Sequence, residues 1–418
     1  MKSTLSTFTP TRLALPAALL AALAGCAANP TGVQPKAPAT SQIGVASFNM
    51  AWAGSQQDFD RQNAVCKTVS WCDTRPRRQP GTGAITEEAA KVARQCVADT
   101  ERLAGGPAQS AMMAPCNAYQ GRGAPVALTG ADYAAKLAGL QATVAGLIEK
   151  EGVRVIAFQE VRSSEVIKEV LGRHAGRFGV CDAPHEGFQT VAFAWDRSLG
   201  SDARCTVDSG LAVVDNPADP EARKVRPCLA LEMKVAGRPI SFLNVHLKSG
   251  CANIVPTPIY QARLLDDPAP ACKVLNRQVA PLERWIDGVA RHSPDFVLLG
   301  DFNRRIDEEA AARIPADKMR ADGSNPSGVP AQDQDGRVAT RYLWQELNDG
   351  SRSLQQVPLT GVEAGCKGFS GLDHIVLSGP LAARQPADIG SRKTAVVQAP
   401  GQRIETSDHC PRSVTLNF

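Results

Sequence analysis

Short apolar segments that end abruptly in polar residues are the most informative pattern in this chain. The clearest is 296–299, between Pro294 and Gly300, which has the length and composition of a buried strand. Asp301 and Asn303 follow it. A carboxylate and a carboxamide at the end of a rigid strand are held still enough to bind a metal ion or to orient water. The same residue types also favour a simple turn, so this segment alone leaves both interpretations open.

Five further strand ends are predicted to carry polar side chains of the same kinds. In chain order these are Asn49 after 43–48, Glu160 after 153–158, Asn244 and His246 at the end of 239–245, Asp373 at the start of a strand to 378, and Asp408 with His409 before 413–417. Taken singly, each has an ordinary explanation as a rim charge, a core histidine or a turn cap. Six strand ends with such side chains predict one shared site.

Periodicity predicts the remaining elements. Helical spacing of apolar residues predicts helices near 87–103, 132–151, 164–171 and 275–291, and alternation predicts strands at 188–195, 210–214 and 228–235. A Gly237-Arg238 pair before the 239–245 strand predicts a tight antiparallel hairpin. Residues 306–340 are charged and rich in Gly and Pro, and are predicted to form an exposed loop after a short initial helix.

The composition is that of an ordinary globular protein. Of 418 residues, 43% are hydrophobic and 21% are charged, which argues against a disordered, collagen-like or coiled-coil chain. The chain is long enough for a sizeable core. Its formal net charge of +4 gives no argument for a polyanionic partner by bulk charge alone.

The N-terminus has the pattern of an export signal. Lys2 and Arg12 precede the apolar stretch 13–23, which ends in Leu-Ala-Gly-Cys26. We predict a lipoprotein signal peptide over 1–25, a lipid anchor on Cys26 and a flexible tether over 26–42 that leads into one domain over 43–418. The chain is then attached to the cell envelope, with the outer membrane as the expected destination. A plain signal peptide and soluble export are the alternative.

Cysteine usage agrees with export, because 12 cysteines are many for a cytosolic enzyme. None of their spacings is typical of a zinc site, so disulfides are expected, with an odd thiol left over once Cys26 is set aside. Connectivity is open. The candidate local pairs are Cys66/Cys72, Cys96/Cys116 and Cys251/Cys272, and a Cys366–Cys410 bridge would stiffen the site. Residues 53–130 carry four cysteines and the basic run 75–78, and are interpreted as a disulfide-stapled insertion.

The residue types at the strand ends indicate phosphate-ester chemistry. Glu160 and Asp408, with the amide of Asn49, suit Mg²⁺ or Mn²⁺, which prefer oxygen ligands. Asp301 can orient or deprotonate water. A carboxylate partner such as Asp373 would keep His409 charged and able to bond a phosphate oxygen.

In this order, Asn49, Gln159-Glu160, Gly300-Asp-Phe-Asn303, Leu372-Asp373-His374 and Ser407-Asp-His-Cys-Pro411 resemble the motifs of the endonuclease/exonuclease/phosphatase superfamily, which includes deoxyribonuclease I-like enzymes. The resemblance covers about 43–418. It implies an α/β fold, a four-layer α/β/β/α sandwich of two mainly antiparallel sheets flanked by helices.

The resemblance also implies roles. The metal ligands would be Glu160, Asp408 and Asn49, which would bind Mg²⁺, with Mn²⁺ or Ca²⁺ as alternatives. The catalytic residues would be His246, Asp301, Asp373 and His409. The substrate contacts would be Asn244, Asn303 and Lys248. The pattern departs from that of apurinic endonucleases, which have an acidic residue shortly after the first Asn and a Tyr-bearing motif in place of Asn244-Val-His246.

These observations predict a divalent-metal-dependent phosphodiesterase, most simply a nuclease acting at the cell envelope as a monomer without a protein partner. A phospholipid or sugar-phosphate phosphoesterase fits the same residues. A non-catalytic binding lipoprotein is the alternative from another class. A serine hydrolase using Ser407 is disfavoured because the sequence contains no GxSxG motif.

Overall fold

The structure is a computed structural model that describes residues 42–68, 79, 85–119, 128–200, 202–214, 223–254, 262–312, 342–348 and 353–418. The described residues belong to one unit, 40–418. The predicted signal peptide, the lipidation site Cys26, the basic run 75–78 and most of the 306–340 loop lie outside them.

The first of two sheets has seven strands. They are β1 Gln42–Ala53, β2 Val153–Val161, β3 Phe178–Asp182, β4 Thr190–Asp196, β10 Leu359–Val362, β12 Ser391–Lys393 and β13 Arg412–Asn417. Their order is β10-β12-β13-β1-β2-β4-β3. β1 runs parallel to β2 and antiparallel to β13, so the ends of β1 and β2 meet the start of β13 at one edge.

The second sheet has six strands. They are β5 Arg204–Asp208, β6 Cys228–Val235, β7 Arg238–His246, β8 Phe296–Asp301, β9 Leu354–Gln356 and β11 Asp373–Ser378, in the order β5-β6-β7-β8-β11-β9. β7 is parallel to β8, and β11 is antiparallel to β8. Antiparallel pairs predominate in both sheets, as predicted.

The described residues form nine α-helices. They are α1 Gln56–Cys66, α2 Glu87–Ala104, α3 Pro107–Ala111, α4 Gly130–Glu149, α5 Ser164–Leu171, α6 Pro270–Ala290, α7 Ile306–Ala311, α8 Leu343–Leu347 and α9 Gly379–Ala382. Thr129 caps the start of α4 with a reciprocal capping box. The Thr129 hydroxyl accepts from the Asp132 N–H, and the Asp132 carboxylate accepts from the backbone N–H of Thr129.

Among the described residues, three large apolar clusters separate four layers. α4 and α5 pack on one face of the first sheet, and α6 packs on one face of the second. The inner faces of the two sheets pack on each other, for example Val155 and Phe193 with Phe242 and Leu299. This is the predicted α/β/β/α sandwich.

Most predicted elements are present, and the one predicted strand that is absent is displaced by contacts with a distant helix. The hairpin at Gly237 is confirmed, with Ala236 at φ 50° and Gly237 at φ 83°, the left-handed pair that a two-residue turn needs. The predicted strand 210–214 is wrong. That segment is a turn with one isolated bridge, Val214 to Lys224, because Arg277 donates to the Val214 carbonyl at 2.6 Å and Gln278 to that of Leu211 at 3.0 Å. β3, β5, β9, β10 and β12 were not predicted, and each has five residues or fewer.

Disulfides occur as expected, but the predicted pairs at Cys66/Cys72 and Cys96/Cys116 are wrong. Cys66 bonds Cys116, which closes the insertion between α1 and the residues after α3. Cys251–Cys272 and Cys366–Cys410 are confirmed, and Cys181–Cys205 joins the two sheets at β3 and β5. Among the described cysteines, the buried Cys228 has a free thiol, in agreement with the predicted odd count.

Within the described residues, no helix combines the length and apolarity needed to cross a membrane.

The sheets are joined by a hydrogen-bonded carboxamide that can be tested by mutation. Asn244→Ala removes both N–H donors to the carbonyls of Phe158 (3.0 Å) and Ala192 (2.9 Å) and the acceptor for Gln159 (2.8 Å). Because three buried groups lose their partner, we expect the free energy of unfolding to fall by about 2–4 kcal/mol in urea denaturation.

Ser241→Ala on the same strand is the matched control. The Ser241 hydroxyl is buried and has no hydrogen-bond partner among the described residues, so its removal should be neutral or slightly stabilising. Equal losses in the two variants would contradict a specific role for Asn244.

Candidate phosphoesterase site

The predicted polar residues lie at one edge of the inner faces of the two sheets. Along β8, Val297 and Leu299 point into the inter-sheet core, and Asp301 takes the next position on that face. The register pairs Asp301 with His246 on β7 and with Asp373 on β11. The strand-end residues are therefore brought together because their strands share one sheet edge.

The floor of the site is a chain of carboxamides between the sheets. Ser47 donates to the Oε1 of Gln159 at 3.2 Å, and Gln159 donates to Asn244 at 2.8 Å. Both N–H groups of Asn244 are used by backbone carbonyls of the first sheet. A substrate contact was predicted for Asn244, and the structure instead assigns this side chain to holding the sheets at a fixed separation.

Asp301 is buried at the centre of the site. Its Oδ2 accepts from Asn49 Nδ2 at 3.0 Å, and its Oδ1 accepts from the backbone N–H of Asn303 at 2.8 Å. Burial raises the pKa of Asp301 to about 7, with the nearby charge of Asp373 adding to the effect and that of His409 opposing it. A carboxylate with a pKa near neutrality is suited to exchange a proton with water.

Asp373 and His409 form the predicted pair. Their Oδ2 and Nδ1 atoms lie 2.7 Å apart. Although burial opposes it, the Asp373 charge and hydrogen bond raise the pKa of His409 well above its usual value, and the same pairing lowers the pKa of Asp373. The imidazole is therefore a cation at neutral pH whose Nε2 is left to face a ligand, 4.0 Å from Asp408.

Glu160 lies at the end of β2 in an unusual backbone conformation. Its φ is 56°, and those of Trp52, Ala51 and Asn303 are 61°, 48° and 50°. Four of the five described non-glycine residues with positive φ therefore lie at this site, where such strain is typical of functional positions. The Trp52 N–H donates to Glu160 Oε2 at 3.2 Å, which aims the carboxylate into the site.

His246 faces two of the acids. Its Nε2 is 3.6 Å from both Glu160 Oε1 and Asp301 Oδ2. Burial, with the charges of Arg226 and His409, holds the pKa of His246 well below its usual value, so this imidazole is neutral. Arg226, which sequence reasoning missed, donates to the carbonyls of His246 at 3.3 Å and Leu247 at 2.8 Å and is the main positive charge acting on Glu160.

Two donor sets could hold a divalent cation. Glu160 and Asp408 with the Asn49 carboxamide form the predicted one, and Asp301, Asp373 and His409 have ligand atoms that all lie within 4.8 Å of one another. The second set would require the imidazolium of His409, which Asp373 stabilises, to release a proton before it could ligate, so the first is the better fit. Burial raises the pKa of Glu160 despite Arg226, and an acid in that condition is stabilised by a bound cation.

The other predicted residues differ in exposure. The Asp408 side chain is 66% exposed, which leaves it accessible to an ion. Asn303, the predicted phosphate contact, is buried and donates from Nδ2 to the Leu247 carbonyl at 3.0 Å. Lys248 is half-buried beside His246, and its charge contributes to the lowered pKa there.

Lys136 is a second residue that sequence reasoning missed. It is buried in α4 and donates to the carbonyls of Met50 at 3.1 Å, Glu405 at 3.2 Å and Thr406 at 2.6 Å. These carbonyls flank Asn49 and the loop that carries Asp408 and His409. Burial lowers the pKa of Lys136 to about 8, against the charges of Asp408 and Glu160. A lysine on the apolar helix face that includes Tyr133 was the available signal.

Lys136→Met tests this brace. The substitution keeps the side-chain length but leaves three carbonyls without their donor, so we expect a loss of about 3 kcal/mol in the free energy of unfolding, measured by chemical denaturation. Lys150→Met, at the exposed end of the same helix, is the control and should change stability by less than about 0.5 kcal/mol. Similar values for both variants would show that the Lys136 bonds contribute little.

No family model matches the sequence, and a comparison with curated proteins finds no match. Among solved structures, the chain is similar to an endonuclease/exonuclease/phosphatase family protein from Bacteroides thetaiotaomicron, at 12% identity over 90% of this chain and 95% of that one, with a TM-score of 0.42. It is also similar to truncated Caenorhabditis elegans TDP2 (15% identity, 68% and 92% coverage, TM-score 0.38) and to the human Nocturnin catalytic domain (12%, 67% and 87%, 0.37). Such low identities and TM-scores do not establish an activity, so the case for a function depends on the site itself.

Proposed function

We propose that this protein is a divalent-metal-dependent phosphodiesterase, and specifically a nuclease that hydrolyses phosphodiesters by in-line attack of water. The observation that carries the proposal is the arrangement at one sheet edge of a buried acid with a near-neutral pKa, Asp301, beside a cationic imidazole, His409, that is held by Asp373. Phosphoryl transfer needs these two functions, a group that accepts a proton from water and a cation for the non-bridging oxygens.

The side chains have separate roles in this proposal. Asp301, aligned by the Asn49 amide and the Asn303 N–H, orients the attacking water and accepts its proton. His409 donates its Nε2–H to a non-bridging oxygen, since its Nδ1–H is committed to Asp373. The neutral His246 can donate a hydrogen bond to phosphate without adding charge beside Arg226.

Glu160 and Asp408, with Asn49, would hold the metal ion. When bound, Mg²⁺ or Mn²⁺ would neutralise charge on the phosphate and assist departure of the leaving group. The Trp52 N–H fixes the direction of the Glu160 carboxylate, and the Lys136 brace joins the Asn49 strand to the Asp408 loop. The contacts made by Trp52 and Lys136 orient the predicted metal ligands, as hydrogen bonds to ligand residues do in metal sites generally.

The location belongs to the proposal as well. A lipid anchor on Cys26 would attach the enzyme to the cell envelope, where nucleic acid from outside the cell is an available substrate.

A substrate panel tests both the activity and the class of substrate. Purified protein with Mg²⁺, Mn²⁺ or Ca²⁺ is expected to degrade plasmid and single-stranded DNA. Turnover of sphingomyelin or a sugar phosphate with intact nucleic acid would overturn the nuclease, and no turnover of any phosphoester would favour a binding lipoprotein.

Asp301→Asn separates catalysis from stability. The amide cannot accept the proton from water, so kcat on a phosphodiester should fall about 100-fold or more. The pKa of Asp301 is raised above the value of about 3.9 for an unfolded chain, so its ionised form opposes folding at neutral pH. Relief of that buried charge offsets the loss of one acceptor for the Asn49 amide or the Asn303 N–H, so the melting temperature should change by no more than about 4 °C.

Asp295→Asn is the matched control, because Asp295 lies just before the other end of β8 and forms an ion pair with Arg384. It should keep kcat within about twofold while losing some stability. A kcat loss as large as that of Asp301→Asn would point to general damage to the sheet and would count against a role for Asp301 in proton transfer.

Metal dependence is the second test. EDTA should abolish activity and added Mg²⁺ or Mn²⁺ should restore it. Glu160→Gln removes the charged ligand, so we expect Mn²⁺ affinity, measured by calorimetry on the protein alone, to weaken about tenfold or more. Glu165→Gln on the exposed surface of α5 is the control. An EDTA-resistant enzyme, or unchanged Mn²⁺ binding by Glu160→Gln, would contradict this assignment.

A further inference from the structure

Among the described residues, Phe369 is the most exposed of the large hydrophobic side chains, with 47% of its surface accessible. It lies in the loop 363–372 between β10 and β11, four residues before Asp373. Burial of the whole ring would contribute about 1.5–3 kcal/mol, so its open surface can gain part of that from contact with a ligand. This position is suited to contact a ligand.

The ring is held in place by contacts at both ends of its loop. The Cys366–Cys410 disulfide joins the loop to the residue after His409. The ammonium of Lys393 donates to the Phe369 carbonyl at 2.8 Å, and the Phe302 N–H donates to the Leu372 carbonyl at 2.9 Å. The backbone that carries Phe369 is therefore tied to the strands that carry Asp301 and Asp373.

Two cations lie beside this ring, and one of them, Lys393, is itself buried. The guanidinium carbon of Arg305 lies 5.1 Å from the ring centroid, and the Lys393 ammonium lies 5.8 Å from it. Lys367 adds a third positive charge near Lys393. Asp373 and Asp307 partly offset the charge of Lys393, and the Glu308 carboxylate accepts from Arg305 at 2.7 Å. Arg305 is two residues beyond Asn303, so the cations connect the ring to the predicted phosphate contacts.

This combination discriminates between classes of phosphodiester. A quaternary ammonium headgroup binds to aromatic rings that lack competing cations, and here Arg305 and Lys393 would repel it. A sugar phosphate has no flat π surface to place on the ring. A nucleotide has both matching parts, a neutral flat base that stacks on an aromatic ring or a guanidinium and an anionic backbone that is attracted to the same cations.

We propose that Phe369, with Arg305 and Lys393, forms a stacking platform for a nucleobase next to the scissile phosphate, so that the substrate is a nucleic acid strand with accessible bases. The inference depends on the proposed phosphodiesterase activity and specifies its substrate. Phe369 is then a specificity-determining residue, because it contacts the base while the reacting atoms are held by Asp301 and His409.

The test compares a short thymidine oligonucleotide with a strand of the same length made of tetrahydrofuran abasic residues. Stacking of one base contributes about 1–3 kcal/mol. For Phe369→Ala, the ratio of kcat/KM on the base-bearing strand to kcat/KM on the abasic strand should therefore fall about tenfold, mainly through KM. Phe369→Trp should restore the ratio, and Phe369→Leu, which keeps apolar bulk without a π face, should not.

Val207→Ala is the matched control, since Val207 is a similarly exposed apolar residue on β5, at the far edge of the second sheet. It should leave the ratio unchanged. Binding measured by fluorescence anisotropy on Asp301→Asn, with and without Phe369→Ala, gives the same comparison without turnover. We expect Phe369→Ala to weaken binding of the thymidine strand and to leave binding of the abasic strand unchanged.

The outcomes separate the two proposals. Cleavage of both strands with a ratio that Phe369→Ala does not change would overturn the platform and leave the phosphodiesterase intact. Hydrolysis of sphingomyelin or a sugar phosphate, with neither strand bound nor cleaved, would overturn both. Equal losses on the two strands would assign Phe369 to loop structure and would also overturn the platform.

Discussion

The site depends on the packing of two sheets through faces that are apolar along most of their length and polar at one end. The hydrogen-bonded series from Ser47 through Gln159 to Asn244 lies at the boundary between the apolar part and the polar end of these faces. Carboxamides buried between sheets are tolerated only when their donors and acceptors are paired, and pairing requires one separation and one register. The same constraint that closes the core therefore sets the positions of Asp301, His246 and Asp373 above it.

Electrostatics explain why the cluster is suited to chemistry. Burial raises the pKa of Asp301 to about 7 and raises that of Glu160, whereas pairing lowers the pKa of Asp373 and raises that of His409. Acids a few ångströms apart thus have different protonation equilibria because their partners differ. This difference in pKa allows Asp301 to accept a proton while Asp373 stays ionised and holds the imidazolium of His409.

Long-range contacts hold the strained backbone at the site. The Tyr119 hydroxyl donates to the Trp52 carbonyl at 2.5 Å, and that of Tyr133 donates to the Gly54 carbonyl at 2.9 Å. Tyr119 belongs to the insertion that the Cys66–Cys116 disulfide closes. The insertion therefore supports the left-handed segment at Trp52 that directs Glu160, and it contributes to the site without supplying a ligand.

Local patterns in the sequence determined most of the strands and helices, the hairpin at Gly237, and which polar residues end the strands, because alternation and helical spacing depend on neighbouring residues. The short edge strands, the Cys66–Cys116 pairing and the turn at 210–214 were decided by tertiary contacts. So were the structural use of Asn244 and the roles of Lys136 and Arg226. Their side chains act on carbonyl groups that are distant in sequence, and only the packing of two sheets and a helix brings those groups within hydrogen-bonding distance.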